Sequence, residues 1–141
     1  MRIRRLKVLL LAASLSATAL FVGAGAAFAS AGGCTFGSSS GNTQTCFQIS
    51  GQGLFVNSMF SGANIVNSGS ARTLQACIHG PDAALPKCSP FVFVRPGDIP
   101  VTQSWFPNRN VPGGTYCGRT WRQNNDGSHT LIGEVCFTVH P

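Results

Sequence analysis

The sequence predicts a small all-β domain that is cross-linked by disulfide bonds, and three observations support this fold class. Short runs rich in β-branched and aromatic residues recur between Gly, Pro and Asn turns. Six cysteines follow residue 33, and helical periodicity is confined to the N-terminal segment. Many short strands at close spacing are typical of a sandwich or a barrel, so we expect about seven or eight short strands.

Residues 1–29 carry the pattern of an export signal. Four cationic residues among the first seven precede an apolar run, and Ala27-Phe28-Ala29 fits the small-x-small cleavage pattern. A membrane-spanning helix needs about 20 apolar residues and usually a polar stop, whereas this run fades into Gly and Ala. We therefore predict a signal peptide cleaved after Ala29 and a secreted, extracellular protein with no stable membrane insertion thereafter.

The charge of the chain excludes nucleic acid as the expected partner. The formal net charge is +6, but four of the ten cationic residues belong to the predicted signal peptide. Residues 30–141 retain six cationic side chains against four carboxylates, a net charge of +2. A nucleic-acid-binding domain is usually far more basic than this.

The remaining chain is predicted to be an entry segment followed by one domain. Residues 30–44 contain Ala31-Gly32-Gly33 and Gly37-Ser38-Ser39-Ser40-Gly41, which predict a flexible segment unless Cys34 is bridged. The β-sandwich domain is predicted to span residues 45–141. Its expected strands are residues 45–49, 54–60, 64–66, 73–79, 91–94, 101–106, 115–122 and 130–139.

The last two strands are predicted to form a hairpin, because Asp126-Gly127 is a strong two-residue turn signal. A turn centred there places Cys117 opposite Cys136 and Arg119 opposite Glu134. Alternation then assigns one set of side chains in the last strand to the core. That set is Leu131, Gly133, Val135, Phe137 and Val139.

An even number of cysteines in a short exported chain predicts a disulfide framework. A metal site would require a C-x-x-C pair or Cys and His at ligand spacing, and the sequence contains neither. Six cysteines allow 15 pairings, of which we favour the sequential one because each bond would close a local loop. The expected pairs are Cys34–Cys46, Cys77–Cys88 and Cys117–Cys136.

The favoured pairing meets one geometric objection at its last bond. Regular alternation from the turn makes 117/136 a hydrogen-bonded pair, whose Cα atoms lie farther apart than in the other type. A bulge, or a longer loop over residues 124–128, would remove the objection.

No arrangement of residues predicts catalysis, a cofactor or a metal. Residues 37–41 match G-x-S-x-G, but that motif needs a strand-to-helix turn that this segment does not predict. The histidines His79, His129 and His140 have no ligand spacing. The carboxylates lie mostly at predicted turns. We therefore expect a protein that is not an enzyme.

Trp105-Phe106-Pro107-Asn108, followed by Arg109, is the most suggestive aromatic segment. Large rings ahead of a proline turn are explained either by core packing or by an exposed apolar patch at the end of a loop. If exposed, these five residues would form a binding surface.

Several motifs together resemble small secreted, cysteine-bridged β-sandwich proteins of actinobacteria, whose function is generally unassigned. They are ISGQGL (49–54), CIHGPD (77–82), GTYC (114–117) with Trp121, GEVC (133–136) and the closing VHP. The strand followed by Gly51-Gln52-Gly53-Leu54, with the close pair Cys77 and Cys88, is also similar to neocarzinostatin-type apoproteins. That resemblance implies an immunoglobulin-like sandwich with an apolar ligand, although this chain has six cysteines where that family has four.

The leading hypothesis is a secreted, non-enzymatic interaction module with an immunoglobulin-like or related sandwich fold, expected to be a monomer. Its partner would be an extracellular protein or a cell-surface component, met at the loops around Pro81 and residues 105–111. One alternative is a carrier of a small apolar ligand. Another is a protease inhibitor that presents loop 80–86, braced by Cys77 and Cys88.

Overall fold

A computed structural model of the chain describes residues 30–37, 42–66 and 69–141, which form ten β-strands and no helix. The predicted signal peptide and the serines of the G-x-S-x-G match lie outside these residues. Within the described ranges, no helix exists that could cross a membrane. The strands are β1 (Ala31–Phe36), β2 (Thr43–Gln52), β3 (Phe55–Ile65), β4 (Arg72–His79), β5 (Lys87–Cys88), β6 (Val92–Val94), β7 (Val101–Trp105), β8 (Arg109–Asn110), β9 (Gly114–Gln123) and β10 (His129–Val139).

The strands form two antiparallel sheets of five strands each. The first sheet has the order β1-β2-β3-β7, with β8 also paired to β3. The second has the order β10-β9-β4-β5, with β6 also paired to β4. The all-β prediction is confirmed. The described strands outnumber the seven or eight expected, and four of them are ten or eleven residues long.

The core lies between the two sheets, because alternate residues of the long strands face inward and are apolar. One buried cluster joins β2 and β3 to β4, β9 and β10; its members are Phe47, Ile49, Val56, Met59, Ile78, Trp105, Val111, Tyr116 and Val139. A second buried cluster occupies the other half of the interface; its members are Ala63, Ile65, Leu74, Ala76, Val94, Val101 and Ile132.

Two glycines allow the sheets to approach closely. A Cβ atom on Gly118 would lie 2.6 Å from Cβ of Phe47, and one on Gly133 would lie 2.0 Å from Oγ1 of Thr45. Thr45 Oγ1 donates a buried hydrogen bond of 2.7 Å to Oγ1 of Thr120 in the opposite sheet. Strand β2 therefore packs directly onto β9 and β10.

The disulfide bonds join Cys34 to Cys46, Cys77 to Cys88 and Cys117 to Cys136, which is the sequential pairing. Each bond links directly opposite residues of neighbouring strands. With Cys34 bridged, residues 31–36 of the entry segment form strand β1 on the edge of β2. Backbone pairing to β2 orders this Gly-rich segment although its side chains contribute little to packing.

The β9–β10 hairpin contains both a longer loop and a bulge. Near the turn His129 pairs with Gln123, one residue out of the predicted register. The ladder then shifts between Leu131 and Gly133, and Cys136 faces Cys117 with Cα atoms 4.1 Å apart. The two deviations cancel, because the loop moves the register one way and the bulge moves it back.

The bulge corrects one part of the predicted core face. Leu131 is 40% exposed and Ile132 is buried, the reverse of the alternation expected from the turn. Beyond the bulge the prediction is confirmed, since Val139 is buried and Val135 and Phe137 pack against the core. The predicted pair of Arg119 with Glu134 is also confirmed, as an ion pair between opposite residues.

Candidate ligand-binding site

The predicted aromatic surface at residues 105–109 divides into a buried half and an exposed half. Trp105 is only 7% exposed and belongs to the core, so it is not a surface residue. Phe106 is 67% exposed, because the strand ends at Trp105 and the chain turns outward. Pro107 is half-buried, and Asn108 and Arg109 are exposed.

An ion pair joins the two loops that the sequence analysis singled out. Nη2 of Arg109 lies 3.0 and 2.8 Å from the two carboxylate oxygens of Asp82, which is buried. The backbone N–H of Ala84 donates to the same carboxylate, and the Arg109 guanidinium lies 5.9 Å from the Trp105 ring centroid. The charges at this end of the molecule therefore satisfy one another.

Loop 80–86 is held in a turn, not in an extended conformation. Leu85 N–H donates to the carbonyl of Asp82, and the Asp82 carboxylate accepts from Ala84 N–H and from Arg109. This is the loop that the protease-inhibitor alternative would present, and that alternative stays a prediction.

Tyr116 lies under this paired end. It is fully buried, and its hydroxyl donates a 2.8 Å hydrogen bond to the carbonyl of Pro112. Burial, and secondarily the negative charge of Asp82, raise the pKa of Tyr116 to about 12, while Arg109 acts in the opposite direction. The phenol is a structural donor here.

The opposite end of the molecule carries a polar cleft of about 460 Å³. It lies where β4 begins, where β6 and β9 end and where the β9–β10 turn follows. Its lining contains two arginines, one aromatic ring and several amides: Ala71, Arg72, Thr73, Phe93, Arg122, Gln123, Asn124 and Asn125. We call this the arginine cleft.

Arg72 and Arg122 occupy positions that face the core. Arg122 pairs with Leu74, and Arg72 pairs with Val94, both of which are buried. Directly opposite residues share a face of the sheet, so these two guanidinium groups close the end of the inter-sheet core. Nη1 of Arg72 is buried and has no hydrogen-bond partner among the described residues.

Neither arginine of the cleft has a carboxylate partner. The chain contains four carboxylate side chains, and all of them belong to described residues. Asp82 and Glu134 pair with Arg109 and Arg119. The other two support turns: Asp98 accepts from the N–H of Arg95, and Asp126 accepts from Ser128. The cleft therefore holds two cations that the protein does not neutralise.

A hydrogen-bond network fixes one of these guanidinium groups. Nε of Arg122 donates to Oδ1 of Asn124 at 3.1 Å. The amide nitrogen of Asn124 donates in turn to Ser128 Oγ and Thr130 Oγ1 at 2.9 and 2.8 Å. Asn124 therefore binds only Nε of Arg122. The two terminal nitrogens of Arg122 have no hydrogen-bond partner among the described residues, and such a pair of donors suits a planar anion.

An exposed aromatic ring forms one wall of the cleft. Phe93 is 57% exposed, and the guanidinium of Arg95 lies 5.7 Å from its ring centroid. Phe93 pairs with Thr73, which also lines the cleft. Both are one residue out of phase with the pair Arg72 and Val94, so they lie on the outer face of the second sheet, and the cleft runs around the end of that sheet from one face to the other. An exposed ring beside unpaired cations is a typical recognition surface.

The histidines do not form a metal centre among the described residues. Two groups of His, Cys, Asp or Glu atoms are close enough to share an ion, but each contains a disulfide and so retains one free donor. Those donors are His79 and Glu134. His129 packs against the ring of Phe91, with centroids 4.4 Å apart.

A second hollow lies on the outer face of the first sheet. Its volume is about 330 Å³ and its surface is mainly apolar, with Phe60, Gly62 and Pro100 among its lining residues. Phe60 is 39% exposed. This hollow is a surface feature, since the space between the sheets is filled by the two core clusters.

Comparison with known proteins leaves the arginine cleft as the main guide to function. No protein-family model, no curated protein and no solved structure matches the chain. Sequence reasoning missed Arg72, Arg122 and Asn124. The signal that would have found the two arginines is the even spacing of Arg72 from Leu74 and of Arg122 from Thr120, which puts charges on the core face of two strands. No sequence signal points to Asn124.

Proposed function

We propose that the protein is a secreted, non-enzymatic binding module that recognises an anionic extracellular ligand at the arginine cleft. The observation that carries the proposal is the presence of two guanidinium groups on core-facing positions without any carboxylate partner. Burial of a cationic group without a partner is costly, and Nη1 of Arg72 is such a group, so an anionic ligand would supply the partner that the protein does not.

Secretion is supported by the export-signal pattern of residues 1–29 together with the three disulfide bonds, which persist in oxidising surroundings. A cross-linked scaffold keeps its strand ends in place without a large core. Such a scaffold suits a module that presents a preformed site outside the cell.

An immunoglobulin-like arrangement is part of the proposal. In that fold one sheet contains the neighbours A, B and E, and the other contains C, F and G. Strands β2-β3-β7 and β4-β9-β10 follow the same order of neighbours, with β1 added at an edge. The bond from the hydroxyl of Tyr116 to the backbone four residues upstream is similar to the tyrosine corner of such domains.

The test is affinity electrophoresis of the mature protein in native gels containing dextran sulfate, polyphosphate or polygalacturonate, with neutral dextran as the reference. We expect at least one anionic polymer to retard the protein. The variant Arg122→Gln should lose most of the retardation, because it removes one of the unpaired cations of the cleft.

The matched control is Lys87→Gln, which removes the same charge on β5, outside the cleft. It should be retarded as the wild type is. Equal behaviour of the two variants would mean that net charge alone drives retention. That result, or the absence of retardation by every anionic polymer, would contradict the proposal.

A second candidate function is the carriage of a small apolar ligand, which the hollow beside Phe60 favours. Its volume is at the lower end of the range of about 300–1,000 Å³ that ligand sites occupy. An environment-sensitive apolar dye tests it. Enhanced fluorescence that Phe60→Ala abolishes and Phe106→Ala preserves would support a carrier, and no enhancement would remove this candidate.

A further inference from the structure

We infer that the ligand of the arginine cleft is a carboxylated sugar, such as a uronic-acid residue of an acidic polysaccharide. The inference rests on the proposed function and names its ligand class. It depends on three features that meet in one cleft: unpaired guanidinium groups, an exposed aromatic ring and a row of side-chain amides and hydroxyls.

The guanidinium groups would bind the planar carboxylate of the sugar. Arg122 is fixed through Nε by Asn124, so its terminal nitrogens are held in one orientation. Arg72 stands two residues before Leu74, the partner of Arg122, and is therefore its diagonal neighbour on the same face. Two donors in a fixed fork match the two oxygens of a carboxylate.

The exposed ring of Phe93 would pack against the sugar ring that carries this carboxylate. One face of a hexuronic acid presents C–H groups, which pack on an aromatic face, as the outward half of Phe93 would offer. A bare inorganic anion has no apolar face and would leave this wall of the cleft unused.

The polar residues that line the cleft would form hydrogen bonds to the hydroxyl groups of the sugar ring. Thr73, Gln123 and Asn125 line the cleft and bring amide and hydroxyl groups, which both donate and accept. Sugar hydroxyls require that dual capacity. A cleft built for a simple polyanion would contain further cations at these positions.

The experiment compares four small probes by following the backbone amide signals of residues 93 and 122–125 in NMR titrations. Methyl glucuronide carries both ring and carboxylate, methyl glucoside the ring alone, acetate the carboxylate alone, and sulfate a different anion. We expect methyl glucuronide to bind about tenfold or more tightly than each of the others, because it engages both walls.

Two variants separate the contributions. Arg122→Gln should weaken methyl glucuronide about tenfold to a hundredfold, the loss of a charge-assisted contact. Phe93→Ala should weaken methyl glucuronide about twofold to tenfold and leave acetate unchanged. The controls are Lys87→Gln and Phe106→Ala, a cation and an exposed ring outside the cleft. Thermal melts of every variant establish that each is folded.

The outcomes are distinct. If sulfate or acetate binds as tightly as methyl glucuronide, or if Phe93→Ala leaves methyl glucuronide unaffected, the sugar assignment is wrong while anion binding stands. If no probe shifts these signals, the carboxylated-sugar inference is overturned. The Arg122-dependent gel retardation then decides separately whether the proposed function survives.

Discussion

The two ends of the molecule use the same residue type in opposite ways. At one end Arg109 caps the buried carboxylate of Asp82, and Ala84 N–H completes its shell. At the other end Arg72 and Arg122 stand on core-facing positions with no carboxylate within ion-pair distance. The first arrangement stabilises the fold, and the second leaves binding capacity unused by the protein itself.

The comparison teaches that the number of aromatic residues in a segment does not indicate how many of them reach the surface. The end that contains Arg109 and Asp82 also contains the aromatic segment and the turn-rich loops, yet its charges pair with each other and its tryptophan belongs to the core. The end that contains the arginine cleft has no distinctive motif in the sequence. Its character arises from which of the four carboxylates reach which arginines in three dimensions.

The largest expected effect concerns the two adjacent rings of the paired end. Trp105→Ala should lower the free energy of unfolding by about 3–5 kcal/mol, since it empties a buried site. Phe106→Ala should change it by less than about 0.5 kcal/mol, because that ring is already largely in water. Urea unfolding measures both, and similar losses for the two variants would contradict the division into core and surface.

The next effect contrasts the two ends directly. Arg109→Gln leaves the buried Asp82 carboxylate without its cation and should cost about 1–3 kcal/mol, less than a fully buried pair because Arg109 is half-exposed. Arg122→Gln strands no carboxylate and should cost under about 1 kcal/mol.

Chemical denaturation of these two variants beside the wild type gives the comparison, and the binding assays should rank them in the reverse order. A larger stability loss at Arg122 than at Arg109 would mean that the cleft arginine is structural. The assignment of roles to the two ends would then be wrong.

The sequence predicted the all-β class, the sequential disulfides and the Arg119–Glu134 pair, because local patterns specify strands and hairpins. It did not predict the bulge at Ile132, where packing of one apolar side chain into the core outweighs regular alternation. It also did not predict strand β1, since backbone pairing to β2 needs no apolar side-chain pattern.

The arginine cleft could not be predicted from the sequence, for a different reason. Arg72 and Arg122 are 50 positions apart in the numbering, and only the β4–β9 pairing brings them onto one face. Whether a cation is neutralised depends on long-range geometry that no local motif records. Long-range packing also divides residues 105–109, because it buries Trp105 and leaves Phe106 exposed.

A third effect reports on the paired end through its phenol. Tyr116 is the single tyrosine of the chain, so tyrosinate absorbance measures it alone. We expect half-ionisation at about pH 12 after a pH jump, where an exposed phenol titrates near about 10. Because the folded-state pKa is raised, this contribution to stability is complete below the ordinary pKa and is lost as pH rises towards 12.

Asp82→Asn sharpens the titration of Tyr116. Removal of this nearby negative charge should lower the pKa of Tyr116, since Asp82 raises it. Tyr116→Phe provides the baseline, as it abolishes the absorbance change. Ionisation of the folded wild type near the ordinary value would contradict a buried phenol bonded to Pro112.

The smallest expected effect is the pH dependence of stability that arises from His79, which lies on the outer face of the second sheet and not at either end. Burial first, and then the positive charge of Arg119, lower the pKa of His79, while Glu134 opposes the shift. The folded protein therefore disfavours the imidazolium, so the contribution to stability is complete above the ordinary pKa of 6.5 and is lost as pH falls below it. The urea midpoint of the wild type should decrease on going from about pH 7.5 to about pH 5, and His79→Gln should decrease less.

Glu134→Gln and His140→Gln complete the test of His79. Loss of the Glu134 charge removes the influence that raises the His79 pKa, so the acid-dependent decrease should grow. His140→Gln removes an imidazole outside this environment and should follow the wild type. If His79→Gln and His140→Gln behave alike, the acid response does not arise from His79 and this assignment is wrong.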